Sequence, residues 1–173
     1  MYDFKANIAV LLNITPDHLD RYGYEMQNYV DAKFRITQNQ TENDAFIFWN
    51  DDPIITEELS KYNLKSRLYP FAETNSEGVA AYKEGQNIII NDKDGSISIE
   101  EEALSLEGRD NLFNSLAESI SAKVLEIRKE EIRAALSGFK GVEHRLEKAG
   151  RVRGVEFIND SKATNVNSCW YAL

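Results

Sequence analysis

Short apolar runs separated by polar punctuation divide this chain into elements of two different periods. Ile8-Ala9-Val10-Leu11-Leu12 is a continuous apolar stretch that stops at Asn13, the pattern of a strand covered on both faces, as in a parallel sheet. Thr15-Pro16 then reads as an N-cap followed by proline at the first helical position. It predicts a short helical turn that carries Asp17, His18 and Asp20 and closes at Tyr22-Gly23. A longer helix is expected from about residue 25 to 38, then a second buried strand over Ala45–Trp49. Asp51-Asp52-Pro53 opens another helix running to about Lys61, and residues 68–71 form a third, shorter strand candidate.

From Val79 the period changes. Residues 79–82, 87–90 and 96–99 are short strand candidates, with Glu84-Gly85 and Asp94-Gly95 between them as turn signals, so a small antiparallel meander is predicted. Helices resume over 110–125 and 129–136, the latter stopped by Gly138, and two strands follow near 145–148 and 155–158. A last helix begins around Asn165 and is still running at Leu173. So short a helix is marginal by itself, and the chain therefore reads as a fragment. The expected fold class is α/β: part of a mainly parallel sheet flanked by helices, with a small antiparallel meander. An α/β body over residues 1–141 is followed by the opening of another domain over 142–173.

Composition narrows the function. A chain of 173 residues has room for one domain or one domain and part of another, and an apolar content of 42% supports a packed core. A formal charge of −9 argues against binding nucleic acid over a broad surface, since polyanions would be repelled. It leaves room for a small anionic ligand held by a few local cations. Cys169 is the single cysteine, which rules out an internal disulfide, and no Cys/His grouping suggests zinc. Ile8 to Leu12 is too short for a signal peptide and no segment approaches membrane-spanning length. A cytoplasmic setting without membrane insertion is expected.

Four places could carry chemistry. Lys33 follows Met26, Tyr29 and Val30 on an apolar helical stripe. Its stem can pack while the ammonium reaches water, or burial can free a neutral amine that takes up carbon dioxide as a carbamate, an oxygen ligand for Mg2+. His18 stands just past an apolar strand, where open α/β sheets place ligands, with Asp17, Asp20 and Arg21 beside it; it is either a surface histidine on a capped turn or a metal or substrate contact. Asn111 and Asn114 project from the first turn of a helix that Asp110 is expected to cap. They could pair with adenine or satisfy free backbone amides. The loop Asn159-Asp160-Ser161-Lys162-Ala163-Thr164-Asn165 joins a strand to a helix, where helix amides favour anions. There Asp160 could accept from ribose hydroxyls and Lys162 could meet phosphate, with Arg145 adding a cation on the way in. A capped connection with Thr164 or Asn165 as N-cap is the alternative.

Taken together, these runs resemble a known family. Asn13 to Tyr22 is similar to the central-domain motif of the Mur ligases, and Ala32-Lys33-Phe34-Arg35-Ile36 follows at the family's distance. His144-Arg145-Leu146-Glu147 and the Asn159 to Asn165 loop resemble the branch that adds D-glutamate, and the motifs occur in family order across essentially the whole chain. The resemblance implies an ATP- and Mg2+-dependent amide ligase that joins D-glutamate to UDP-N-acetylmuramoyl-L-alanine for peptidoglycan synthesis. It implies that Lys33 is carbamylated and shares a Mg2+ with His18, and that Asn111 and Asn114 contact adenine. Arg145, Asp160 and Lys162 would bind the ATP phosphates and ribose, and Thr164 would lie near D-glutamate. No GxxxxGK[ST] phosphate loop occurs in these residues, so the chain alone is expected not to turn over and to keep Lys33 unmodified. The alternative is a non-catalytic module that binds nucleotide or a partner and retains the motifs by descent.

Overall fold

The computed structural model describes residues 3–92, 95–104, 109–139 and 141–163. They fall into two compact units, Met1–Ser137 and Gly138–Leu173, each described by itself below. The first is built on a six-stranded sheet: β1 (Ile8–Leu11), β2 (Ala45–Trp49), β3 (Arg67–Phe71), β4 (Ala81–Glu84), β5 (Asn87–Asp92) and β6 (Gly95–Glu100), lying side by side in that order. Strands β1 to β4 pair in parallel, and β4 to β6 pair antiparallel. The expected meander is thus continuous with the parallel sheet, joined to it through Phe71 opposite Ala81.

Strand β2 shows why a continuous apolar run belongs in the middle of this sheet. Successive side chains point to opposite faces, and both faces are covered. Ile47 packs with Phe71, Ala81, Ile88 and Ile90 under α3 (Arg109–Val124) and α4 (Lys129–Gly138). Phe46 and Phe48 pack with Ala9, Leu11, Val30, Phe34 and Ile55 under α1 (Met26–Phe34) and α2 (Pro53–Glu58). Each such residue buried completely contributes roughly 1.5–3 kcal/mol. Helix α2 starts where sequence placed it because Asp52 caps it, its Oδ1 accepting from the amides of Ile54 and Ile55 ahead of Pro53.

Several boundaries differ from expectation. The helical turn after β1 covers only Leu19–Tyr22, so Asp17 and His18 precede it; Asp17 Oδ1 accepts from the His18 amide and His18 takes a left-handed φ of 50°. Helix α3 begins at Arg109, which makes Asp110 a helical residue rather than the cap. Strand β4 begins at Ala81, two residues late, and the Val79 amide bonds instead to the Ser76 carbonyl in the turn before it. The helix expected from Asn165, and Thr164 with it, lie outside the described residues.

The second unit is a hairpin of β7 (Glu147–Val152) and β8 (Val155–Asn159). Arg153 and Gly154 both have positive φ, 51° and 85°, as a two-residue type I′ turn requires. Arg145, expected in a strand, sits in the preceding turn: His144 and Leu146 are left-handed, and the Glu147 carboxylate accepts from the His144 amide.

An acid-sensitive tie closes the edge of the first sheet. Asp44 is buried, accepts from Thr41 and Asn7, and pairs with Lys5 at 2.9 Å. The Lys5 hydrogen bond, with those from Thr41, outweighs burial and holds the carboxyl at about 2 instead of 3.8. Because the folded value lies below the unfolded one, the stabilisation is complete above about pH 4 and is lost as pH falls toward 2. The urea midpoint of the native chain should therefore drop between pH 5 and pH 3 by more than that of Asp44→Asn; equal drops would remove Asp44 from the acid response.

Candidate functional site

The loops at the carboxyl ends of β1, β2 and β3 are tied to one another by side chains. Asp52, after β2, uses its Oδ2 to accept from the buried amide of Ile14, 2.9 Å away in the loop after β1. The same carboxylate therefore caps α2 and holds the segment that leads to His18. Its neighbour Asp51 accepts from the Glu73 amide at 2.7 Å and from Trp49 Nε1 at 3.2 Å, which joins the β2 loop to the β3 loop. Glu73 in turn pairs with Arg109 at the first residue of α3. A continuous path thus runs from the His18 loop through Asp52, Asp51 and Glu73 to the helix turn that bears Asn111 and Asn114.

His18 is exposed, with Nε2 3.6 Å from Asp17 Oδ2. Lys33 is exposed as well, its ammonium 5.1 Å from the Tyr29 ring centroid. Of the two arrangements open to that lysine, the structure has the one in which the stem packs and the amine reaches water. Asn111 is half-buried and Asn114 exposed on α3, while Leu112, Phe113 and Leu116 between and beyond them are buried. Among the described residues no group of three or more His, Cys, Asp or Glu side chains is assembled for a metal. No helix among them is long and apolar enough to cross a membrane.

In the second unit the hairpin brings the two remaining motifs together, because Glu147 at the start of β7 pairs with Asn159 at the end of β8. Asp160 Oδ1 accepts from the Leu146 amide at 3.2 Å, and the Lys162 amide bonds to the His144 carbonyl at 3.1 Å. Asn159 Nδ2 lies 2.8 Å from His144 Nδ1 and 3.1 Å from Glu147. Arg145, Asp160 and Lys162 therefore cluster at one end of the hairpin, the cations exposed and Asp160 half-buried.

Sequence reasoning gave no role to Glu73 or Arg109 and saw Asp51 and Asp52 only as helix openers. Their ties span 22 to 38 residues, and no local pattern encodes them.

A mainly parallel sheet whose polar loops gather beyond the carboxyl ends of its strands, next to a helix N-terminus, defines an α/β ligand-binding domain. Residues 1–122 match the Mur ligase middle domain, and the chain belongs to the Mur ligase family. Over 173 residues it is 66% identical to the UDP-N-acetylmuramoylalanine–D-glutamate ligase of Bacteroides thetaiotaomicron, covering 100% of this chain and 39% of that protein. The protein of the same name from Porphyromonas gingivalis is 50% identical over 175 aligned residues, again with 39% of its length covered. The chain thus spans about two-fifths of the relatives it matches. Solved structures share the fold: MurF of Acinetobacter baumannii at a TM-score of 0.74 and 21% identity, covering 96% of this chain and 36% of that one. MurF of Thermotoga maritima, in complex with ADP, gives 0.70 at 20% identity, covering 97% and 38%.

Proposed function

We propose that these residues serve a cytoplasmic ATP-dependent amide ligase that adds D-glutamate to UDP-N-acetylmuramoyl-L-alanine. Residues 1–141 form part of its ATP-binding central domain, and 142–173 open its C-terminal domain. The observation that carries this reading is the 66% identity across all 173 residues to a protein named as that ligase. In the reaction the γ-phosphoryl group of ATP passes to the terminal carboxylate of the nucleotide substrate. The amine of D-glutamate then attacks the acyl phosphate, phosphate leaves, and an amide forms.

The chain's own residues divide the work. Asn111 and Asn114 offer carboxamides to the adjacent donor and acceptor of adenine. Arg145 and Lys162 offset phosphate charge that builds during transfer, and Asp160 accepts from ribose. Thr164, outside the described residues, is assigned to the incoming D-glutamate. His18 and Asp17 present an imidazole nitrogen and a carboxylate close together on an exposed turn, and Lys33 lies exposed over Tyr29; its carbamate would require the rest of the ligase to bury the amine, since burial favours the neutral form. With a Lys33 carbamate, these donors would hold Mg2+ together with phosphate and water oxygens. Bound there, Mg2+ would reduce the repulsion between carboxylate and triphosphate.

The test is substrate choice by a ligase of full family length carrying this segment. With UDP-N-acetylmuramoyl-L-alanine, ATP and Mg2+, phosphate release and a new amide product should require D-glutamate. Product formed instead with lysine or diaminopimelate would overturn the branch assignment.

A further inference from the structure

We propose that Arg109 is a positioning residue for adenine recognition, acting through the rotational setting of the first turn of α3. This inference rests on the adenine reading of Asn111 and Asn114. In an α-helix residues advance by about 100° each, so Arg109, Leu112, Phe113 and Leu116 share one face and Asn111 and Asn114 lie on the other. The sheet-facing side is fixed at its buried positions, with Leu112, Phe113 and Leu116 all at most 6% exposed. Among the described residues, the sheet-facing position at the very start of the helix is held by Arg109.

Contacts with two rings and a carboxylate pin its guanidinium. It lies 5.6 Å from the Trp49 ring centroid and 5.3 Å from that of Phe113, beside two rings whose centroids are 4.6 Å apart. Its Nε donates to Glu73. Both anchors are themselves held by Asp51, which accepts from the Glu73 amide and from the Trp49 indole. The clamp therefore references the helix start to the ends of β2 and β3, the same edge to which Asp52 ties the His18 loop. An open cleft of about 380 Å³ adjoins it, lined by Glu73, Lys83, Glu101, Arg109 and Leu112.

A half-exposed ion pair contributes little to stability, so a clamp of this kind is expressed in geometry more than in melting temperature. Two carboxamides that read one base edge depend on their placement, and a turn that rotates loses the match to adenine while leaving phosphate and ribose contacts intact. The consequence is base selectivity.

The experiment measures affinity for ATP and GTP by calorimetry in a full-length ligase carrying this segment, with ATP and D-glutamate KM values alongside. Arg109→Ala should lower the ATP:GTP affinity ratio about tenfold, raise the KM for ATP, and leave the KM for D-glutamate and kcat at saturating ATP unchanged. Arg109→Lys, which keeps the charge opposite Glu73 but not the planar guanidinium, should fall between. If Arg109→Ala fails to fold, Glu73→Gln decides the same comparison. Asn111→Ala separates the two readings: a collapsed ratio there with an unchanged ratio in the Arg109 or Glu73 variant overturns the clamp alone. An unchanged ratio in both Asn111→Ala and Asn114→Ala overturns the adenine reading and the clamp with it. Equal loss of ATP and GTP affinity in Arg109→Ala marks a merely structural role and also overturns the proposal.

Discussion

Replacing Asp52 with alanine should destabilise the first unit by about 3 kcal/mol, the sum of a lost helix cap and a buried amide left without a partner. One carboxylate accepts from three amides: Ile54 and Ile55 at the start of α2, and Ile14 in the loop after β1. The site is closed to compensation by water, since Asp52 is 3% exposed and Ile14 is 2% exposed. For a chain of this size the melting temperature should fall by roughly 6–12 °C. Asp52→Asn retains one acceptor oxygen and should recover part of the loss, while Asp51→Ala, at an exposed carboxylate, should cost less than either. Denaturant midpoints for the three variants check the order. A small effect at Asp52→Ala would mean that the β1 loop and α2 are held together by something other than this carboxylate.

The same residue shows where sequence reading stops. Asp52-Pro53 is a local signal, and the helix it opens lies where the pattern put it. The bond to Ile14 is 38 residues away in sequence and depends on β1 and β2 lying side by side, which no periodicity states. Strands were legible when buried on both faces: Ala45–Trp49 was read to the residue because five apolar side chains in a row have only a central strand to occupy. Where the backbone turns left-handed, local rules failed. Thr15-Pro16 looked like the start of a helix, yet the helical turn begins only at Leu19, after His18 has turned left-handed, a conformation that histidine tolerates better than most residues. His144 and Leu146 broke the predicted strand at Arg145 in the same way.

Lys33 illustrates a subtler failure of periodicity. Met26, Tyr29 and Val30 allow two continuations of the stripe, through residue 33 or through residue 34. The structure takes the second, with Phe34 1% exposed and stacked on Tyr62 at 4.3 Å, and Lys33 is left at the edge over Tyr29. A large aromatic ring gains more from burial than an alkyl stem that must keep its ammonium wet. For the candidate site, the sequence names residues one motif at a time, and which of them the fold brings together is only partly legible. That Asp160 reaches the Leu146 amide next to Arg145 follows from a two-residue turn at Arg153-Gly154, whose Gly could have been read as a hairpin signal.

A polypeptide of these 173 residues alone should show no ATP- and D-glutamate-dependent product, whereas a full-length ligase carrying them should turn over. The cations available at the hairpin end, Arg145 and Lys162, can offset charge on a triphosphate, but they are two point contacts. A phosphate loop supplies several backbone amides and a lysine aimed at the same oxygens, and no GxxxxGK[ST] sequence lies in this chain. Loss of a single preorganised donor costs roughly 10²–10³ in rate, so Lys162→Ala in the full-length ligase should reduce kcat/KM by about that factor. Loss of a whole cradle compounds several such terms and takes turnover below detection. The decisive comparison is labelled amide product from the two polypeptides at equal concentration with saturating ATP and Mg2+. Product from the shorter one would show that Arg145 and Lys162 suffice to hold a reactive triphosphate, and the division of labour proposed for the site would then have to be redrawn around them.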